Sequence, residues 1–378
     1  MTVFKKKTEL AKGVFWPSYL IGIAVIVLGI ANQKPFGSIL DAGLNWVSDN
    51  FGWWLVLFAL ILVLLVFGLA FSKAGDVVIG GAGAKPEYTM WQWFSMSLKG
   101  GIGTGILFWA MGEPIFHMAA PPAAAGAQPF TREAGLFAIS QTMLHWTIAQ
   151  YAMYSLCAVG VALMAYNRRR TISVSSIFEP YLSSSVYGVV KTVVPMVSLF
   201  CIVGALACSM AVGLMQINSG LNFFFGLPID GVTVFAIAAI MVTVYVVSCL
   251  TGIKKGMRVL SSFCTIVFIG LMVYVLCLGP TRFIVDAGTE SLGVFFNRFF
   301  EHSVILPTMA ENETWSKSWI IMFMASFFVY APIIGLFLAR LGKGRTVREF
   351  IFMNIGAPTL FCIVWIAIWG GTTVWLQY

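Results

Sequence analysis

The stretch SLKGGIGTGILFWAMGEPIFH, residues 97–117, decides how the rest of the chain is interpreted. It is apolar enough to lie in a membrane, yet Lys99 is followed by four glycines within six residues. Each glycine weakens a helix by roughly 1 kcal/mol relative to alanine, and a buried cation costs more. Irregular backbone at membrane depth survives where it lines a cavity or a ligand. The sequence therefore predicts an interrupted helix, whose opened backbone comprises Gly101, Ile102, Gly103, Thr104 and Gly105.

Composition indicates a polytopic membrane protein. Hydrophobic residues make up 59% of the 378 residues and charged residues 10%, against roughly 45–50% and 25% in soluble domains. The net charge of +8 does not indicate nucleic-acid binding, because the basic residues form short blocks between apolar runs, as in Arg168–Arg170. The distribution of these blocks predicts a cytoplasmic N-terminus in a cell membrane.

Nine apolar runs are long enough to cross a bilayer, which takes about 20 residues. They predict an all-α protein with spans at 15–32, 53–72, 91–118, 135–166, 193–217, 232–252, 259–280, 319–339 and 350–376. The seven cysteines lie within such runs without ligand spacing, so no metal site is expected.

A second interruption is expected in the run 319–339, where Pro332 and Gly335 stand near its middle. Transporters built from inverted repeats place matching helix breaks at the membrane midplane. The runs that contain the glycine motif and Pro332 are five spans apart and enter the membrane from opposite sides, as such a repeat requires. The alternative is that these glycines only permit close helix packing.

Two interpretations of Lys99 stay open. Its side chain could snorkel toward the cytoplasmic surface. Alternatively, its ammonium could occupy a cation position beside the opened backbone, as a surrogate for a coupling cation or as part of a proton path.

Aromatic residues surround the predicted break. Trp109 follows the glycines, and the fourth and eighth spans each present aromatic side chains at helical spacing. Aromatic faces bind quaternary ammonium groups with about 2 kcal/mol or more when desolvated, although such stripes also occur in ordinary packing. The predicted substrate-binding residues are Trp109, Trp146, Tyr151, Tyr154, Phe327 and Tyr330.

An intramembrane enzyme is the remaining alternative and is not favoured. Its acid–base groups would be Glu113, His117 and His145, and no nucleophile or metal spacing joins them. We expect His145 to make a structural hydrogen bond and Glu113 to pair locally near the outer end of its span.

Several motifs together resemble the betaine/choline/carnitine transporter family. The motifs that carry the resemblance are KPEYTMWQWFSMSLKGGIGTGILFWAMGEPIFH, LHWTIAQYAMYSLCAVGVALMAYNRRR, SCLTGIKKGMRVLSS and YAPIIGLFLARLGKGRTVREF. The resemblance covers almost the whole chain.

The resemblance implies a sodium-symporter-type inverted-repeat fold of twelve helices, about nine of which are present here. It divides the chain into two leading helices at 1–90, a first repeat at 91–280, an amphipathic extracellular connector at 281–318 and an incomplete second repeat at 319–378. It also implies homotrimers, alternating access, and betaine, choline or carnitine as substrates, by symport with Na⁺ or H⁺ or by exchange, without another cofactor.

Three departures from the family pattern matter. Ser326, Phe327 and Tyr151 stand where the family carries tryptophan, and Lys99 replaces a small residue. Gly105 lacks the acidic side chain that some members carry. The chain ends three helices early, so the alternative function is a truncated, non-transporting sensor or assembly partner of the same fold.

Overall fold

The structure is a computed structural model that describes residues 11–101, 104–250, 256, 258–308 and 314–378. Within these residues the chain is built from α-helices and contains no strand. The first seven are α1 Lys12–Ala31, α2 Gln33–Phe71, α3 Met90–Gly101, α4 Thr104–Ala119, α5 Arg132–His145, α6 Ile148–Ala162 and α7 Ser184–Phe225. The others are α8 Gly231–Leu250, α9 Arg258–Leu278, α10 Thr281–Asn297, α11 Phe299–Ser303, α12 Met322–Leu341, α13 Val347–Ile351 and α14 Ala357–Gln377.

The prediction of an all-α polytopic membrane protein is confirmed. Among the described residues, 8 helical segments are long and apolar enough to cross a membrane, and they coincide with eight of the predicted spans. The ninth predicted span, 91–118, corresponds to α3 and α4. Ile102 and Gly103, the centre of the predicted interruption, lie outside the described residues.

The buried core is formed by α4, α5, α6, α12 and α14, whereas α1, α7, α8 and α9 are largely exposed. Helix α12 packs along α6, and α4 packs against α5 and α14. By contrast, α1 and α8 expose large apolar side chains over most of their surface, for example Ile30 and Phe235. Such surfaces are stable next to lipid, since hydrocarbon replaces water around them.

The predicted interruption at Pro332 and Gly335 is wrong, because α12 runs without a break from Met322 to Leu341. A proline removes one backbone hydrogen bond, and neighbouring helices make this tolerable in a membrane span. Gly335 serves close packing instead. A Cβ added there would lie 2.7 Å from Sγ of Cys157 on α6, so the glycine lets the two helices approach.

The fourth span is interrupted instead, although it contains neither proline nor glycine at that point. Helix α5 ends at His145 and α6 begins at Ile148. Thr147 between them has φ −125° and ψ −118°, which is not helical. The interruption carries Trp146, one of the predicted substrate-binding residues.

The connector between α9 and α12 contains the amphipathic helix α10. Its buried residues recur on one face, for example Ile284, Ala287, Ser291 and Phe295. This face packs on α14 and α5 of the same chain, rather than only on lipid or on a neighbouring subunit. The opposite, charged face includes Glu290, which pairs with Arg132 at the start of α5.

Candidate functional site

A cavity of about 510 Å³ lies between the interrupted fourth span and α12. Helices α3, α4, α7 and α9 complete its wall. The residues that line it are Met96, Lys99, Gly100, Gly105, Trp109, Trp146, Gln150, Tyr154, Leu206, Ser209, Ser261, Met322, Phe323, Ser326, Phe327, Tyr330, Ile333, Ile334 and Phe337. The volume suits a small organic solute, because ligand pockets measure about 300–1,000 Å³.

Most of the aromatic residues selected from the sequence line this one cavity. The five are Trp109, Trp146, Tyr154, Phe327 and Tyr330. Tyr151 does not line it: the side chain is buried behind the wall, and its hydroxyl lies 3.6 Å from Sγ of Cys362 on α14. Tyr151 and Tyr154 are three residues apart on α6 and therefore differ by about 60° around the helix axis, which separates the two side chains.

The aromatic rings form one contiguous wall. The Trp146 ring lies 5.2 Å from that of Phe323 and 6.4 Å from that of Phe327, in edge-to-face geometry. Tyr154 extends the wall, 6.4 Å from Phe327. Edge-to-face contacts stabilise aromatic pairs and leave ring faces available to a cation. Phe323, which is not among the predicted substrate-binding residues, also belongs to this wall.

Gly105 permits the position of the Trp146 indole. A Cβ at residue 105 would lie 2.8 Å from Cη2 of Trp146, closer than side-chain atoms normally approach. The glycine of α4 and the interruption of the fourth span therefore fit each other. The predicted opened backbone falls at the junction of α3 and α4, and its central residues, Ile102 and Gly103, lie outside the described part of the chain.

Glu113 holds the other edge of the same indole. Nε1 of Trp146 donates to Oε2 of Glu113 at 2.8 Å. The second carboxylate oxygen, Oε1, contacts Nδ1 of His145 at 2.5 Å and Nε2 of His117 at 3.1 Å. All three hydrogen-bonding partners are buried with Glu113, and charge-assisted hydrogen bonds in such surroundings are strong. The carboxylate thereby fixes Trp146 against the end of α5.

The tautomer of His117 follows from its second partner. Nε1 of Trp315 can only donate, and it lies 3.1 Å from Nδ1 of His117. Nδ1 therefore accepts, and Nε2 carries the proton that is donated to Glu113. The hydrogen bond expected for His145 and the local pairing expected for Glu113 are both present, and tertiary packing brings α4 and α5 together at these residues.

These three side chains offer donor atoms within 4.8 Å of one another, which is a range that a metal ion can bridge. However, Nδ1 of His145 and Oε1 of Glu113 are only 2.5 Å apart. Two ligands of one tetrahedral zinc ion, each about 2.0–2.2 Å from it, are separated by more than 3 Å. The arrangement is that of a hydrogen-bonded cluster that positions Trp146.

Tyr330 ties α12 to α7 across the cavity. Its hydroxyl donates to the carbonyl oxygen of Ala205 at 2.8 Å and contacts Oγ of Ser209 at 2.7 Å. With these partners the ring is held at the wall, and its polar end is satisfied by α7.

Lys99 contributes a formal charge to the cavity wall. Its Nζ lies 3.2 Å from the ring centroid of Phe268 on α9 and is shielded from solvent, with no hydrogen-bond acceptor among the described residues. The snorkelling interpretation requires the ammonium to reach the aqueous surface, and it does not.

Comparison with known proteins gives consistent results. The pattern described as "BCCT, betaine/carnitine/choline family transporter" matches residues 13–378. A probable glycine betaine transporter of Desulfitobacterium hafniense is 28% identical over 95% of this chain and 71% of its own length. The ectoine/hydroxyectoine transporter of Virgibacillus pantothenticus is 28% identical over 98% of this chain and 73% of its own.

A third relative, the high-affinity choline transport protein of Escherichia coli K12, is 29% identical over 88% of this chain and 49% of its own length. The members of this family are transporters and not enzymes. The match extends over almost every described helix, so the chain belongs to the betaine/carnitine/choline transporter family.

Proposed function

We propose that the chain is a secondary transporter that moves a quaternary ammonium or related zwitterionic compound across the cell membrane by alternating access. The observation that carries this proposal is the cavity of about 510 Å³ with its contiguous aromatic wall. A quaternary ammonium group has no hydrogen-bond donor of its own, so it is recognised by ring faces and shape. No carboxylate is needed to bind it.

The proposed route of transport uses the interrupted fourth span. Short helical segments that meet at a cavity can rock against each other, because their backbone ends are not locked into one continuous hydrogen-bonded ladder. Trp146 lies at such a meeting point, and its indole contacts both Gly105 and Glu113. Movement of α5 relative to α6 would therefore change the cavity wall itself.

The coupling ion is proposed to be Na⁺ or H⁺, with exchange of two onium compounds as the third mode. In the exchange mode Lys99 is the proposed surrogate for a coupling cation, since its ammonium supplies a positive charge beside the glycine motif. We further propose a cytoplasmic N-terminus and a homotrimer. Vesicles loaded with unlabelled substrate, or energised with a sodium or a pH gradient, distinguish the three modes of coupling.

Uptake by proteoliposomes tests the proposed function. Purified protein is reconstituted and supplied with radiolabelled glycine betaine, choline or carnitine, and empty liposomes serve as the control. We expect saturable uptake of at least one compound, inhibited by an excess of the same unlabelled compound. Binding without flux would favour a non-transporting sensor of the same fold. If folded protein neither binds nor moves any onium compound, the proposal is wrong.

A further inference from the structure

The charge of the cavity wall restricts which onium compounds fit. Among the described residues that line it, Lys99 is the side chain with a formal charge, and the other polar groups are amides and hydroxyls such as Gln150, Ser261 and Ser326. Glu113 lies behind Trp146, where its oxygens accept hydrogen bonds from Trp146, His145 and His117. The cavity therefore presents a positive charge that no lining carboxylate offsets.

The ammonium of Lys99 is desolvated and lacks an anionic partner. It contacts the ring of Phe268 at 3.2 Å and has no hydrogen-bond acceptor among the described residues. The titratable groups that act on it are the thiols of Cys264 and Cys362. An ammonium offers three donors, and a ring face satisfies only part of its demand for negative charge. The position can bind an anion.

We propose that Lys99 binds the anionic group of the substrate, so that the transported compound is a zwitterion whose onium group lies against the aromatic wall and whose carboxylate, or similar anion, pairs with the ammonium. This inference rests on the proposed function and narrows it. The four-carbon stem of the lysine is flexible, so the ammonium can turn from the Phe268 ring toward an anion in the cavity.

The same charge disfavours a simple cation. Two like charges in a water-poor cavity repel each other more strongly than in bulk solvent, so choline is expected to bind weakly here. The named relatives include a probable glycine betaine transporter and a high-affinity choline transport protein. Glycine betaine and choline share the quaternary ammonium group, and only glycine betaine carries a carboxylate. Lys99 assigns this chain to the zwitterion class.

Equilibrium binding to purified protein tests the assignment first without any substitution. Glycine betaine is compared with its methyl ester, which keeps the quaternary ammonium and loses the negative charge, and with choline. The expected result is that the ester and choline bind at least roughly tenfold more weakly than glycine betaine, as for the loss of one charge-assisted hydrogen bond. Equal or tighter binding of the ester overturns the proposal.

Two substitutions then locate the effect. Lys99→Met keeps most of the length of the side chain and removes its charge. We expect it to weaken binding of glycine betaine by roughly 10- to 100-fold while choline binding is kept or improved. Lys99→Arg is expected to retain the preference for the zwitterion. Lys191→Met, on the exposed surface of α7, is the matched control and should leave all affinities unchanged.

The outcomes separate this inference from the proposed function. If Lys99→Met leaves the affinity for glycine betaine unchanged, or weakens betaine and choline equally, Lys99 does not recognise the anion, whereas transport of onium compounds stands. If folded wild-type protein binds neither compound, the proposed function itself fails. Retained choline binding by Lys99→Met shows that the variant is folded. If the variant does not fold, the wild-type affinities for glycine betaine and its methyl ester decide whether the anionic group is recognised.

Discussion

The fourth span is interrupted and the eighth is continuous, which is the opposite of what their proline and glycine residues indicate. The fourth span has no proline or glycine at Trp146–Thr147, yet α5 and α6 are separate helices there. The eighth contains Pro332 and Gly335, yet α12 is continuous. Proline and glycine therefore permit an interruption of a helix, whereas the tertiary partners of a particular side chain decide where the interruption occurs.

In the fourth span those partners are Glu113 and Gly105, which hold the two edges of the Trp146 indole. In the eighth span Gly335 has a packing partner, Cys157, and α12 gains more from lying closely along α6 than from opening.

Replacing Glu113 should have the largest effect, because it removes the acceptor of three buried donors. We expect Glu113→Leu to reduce the free energy of unfolding by at least roughly 3 kcal/mol and to abolish binding of glycine betaine. Thermal unfolding in detergent and equilibrium binding measure the two effects. Glu290→Leu, an exposed carboxylate paired with Arg132, should cost no more than about 1 kcal/mol. If Glu113→Leu unfolds at the same temperature as the wild type, the cluster of Glu113, His117 and His145 does not hold the interruption.

Two glycine substitutions should have intermediate effects of about 1–3 kcal/mol each, but on different properties. Gly105→Ala should displace Trp146 and weaken binding of glycine betaine. Gly335→Ala should push α12 from Cys157 and lower the unfolding temperature. Gly204→Ala is the control, since a Cβ there meets nothing within 4 Å. If Gly105→Ala and Gly335→Ala each lose affinity and stability to the same extent, the two glycines do not have separate roles in binding and in packing.

These contacts also show what could and could not be predicted from the sequence. The apolar runs gave the helices, and the aromatic and glycine motifs gave much of the cavity wall, because both signals are local. The proximity of Glu113 and His117 follows from their i,i+4 spacing on one helix. The partnership of Glu113 with His145 does not, since the two residues are 32 positions apart and only the packing of α4 on α5 joins them.

Protonation of His302 should have a smaller, pH-dependent effect on the first half of the fourth span. Its ring lies 5.2 Å from that of Phe137 on α5, and burial lowers the pKa of His302 to about 4. Glu301 opposes this shift, whereas Arg298 and His145 add to it. The unfolded chain, with an ordinary pKa near 6.5, binds a proton that the folded chain excludes.

Stability from this residue is therefore complete above about pH 6.5 and is lost as the pH falls toward 4, by at most about 1.4 kcal/mol per pH unit. We expect His302→Leu to have a shallower decline in unfolding temperature between pH 7 and pH 5 than the wild type. Parallel declines in the two proteins would contradict this role for His302.

Pro332→Ala should have the smallest effect, because α12 is already continuous through the proline. We expect affinity for glycine betaine within roughly threefold of the wild type and a loss of stability below about 1 kcal/mol. Binding and thermal unfolding are again the measurements. Abolished binding by a stably folded Pro332→Ala protein would restore the eighth span as an interrupted helix in function.

In the proposed function, the interrupted fourth span presents Trp146 to an onium compound in the cavity. This role of Trp146 is tested most directly by equilibrium binding of radiolabelled glycine betaine to purified Trp146→Ala, with Trp46→Ala, an exposed tryptophan of α2, as the matched control. We predict that Trp146→Ala loses measurable binding while Trp46→Ala binds like the wild type. Unchanged affinity in folded Trp146→Ala would contradict the account.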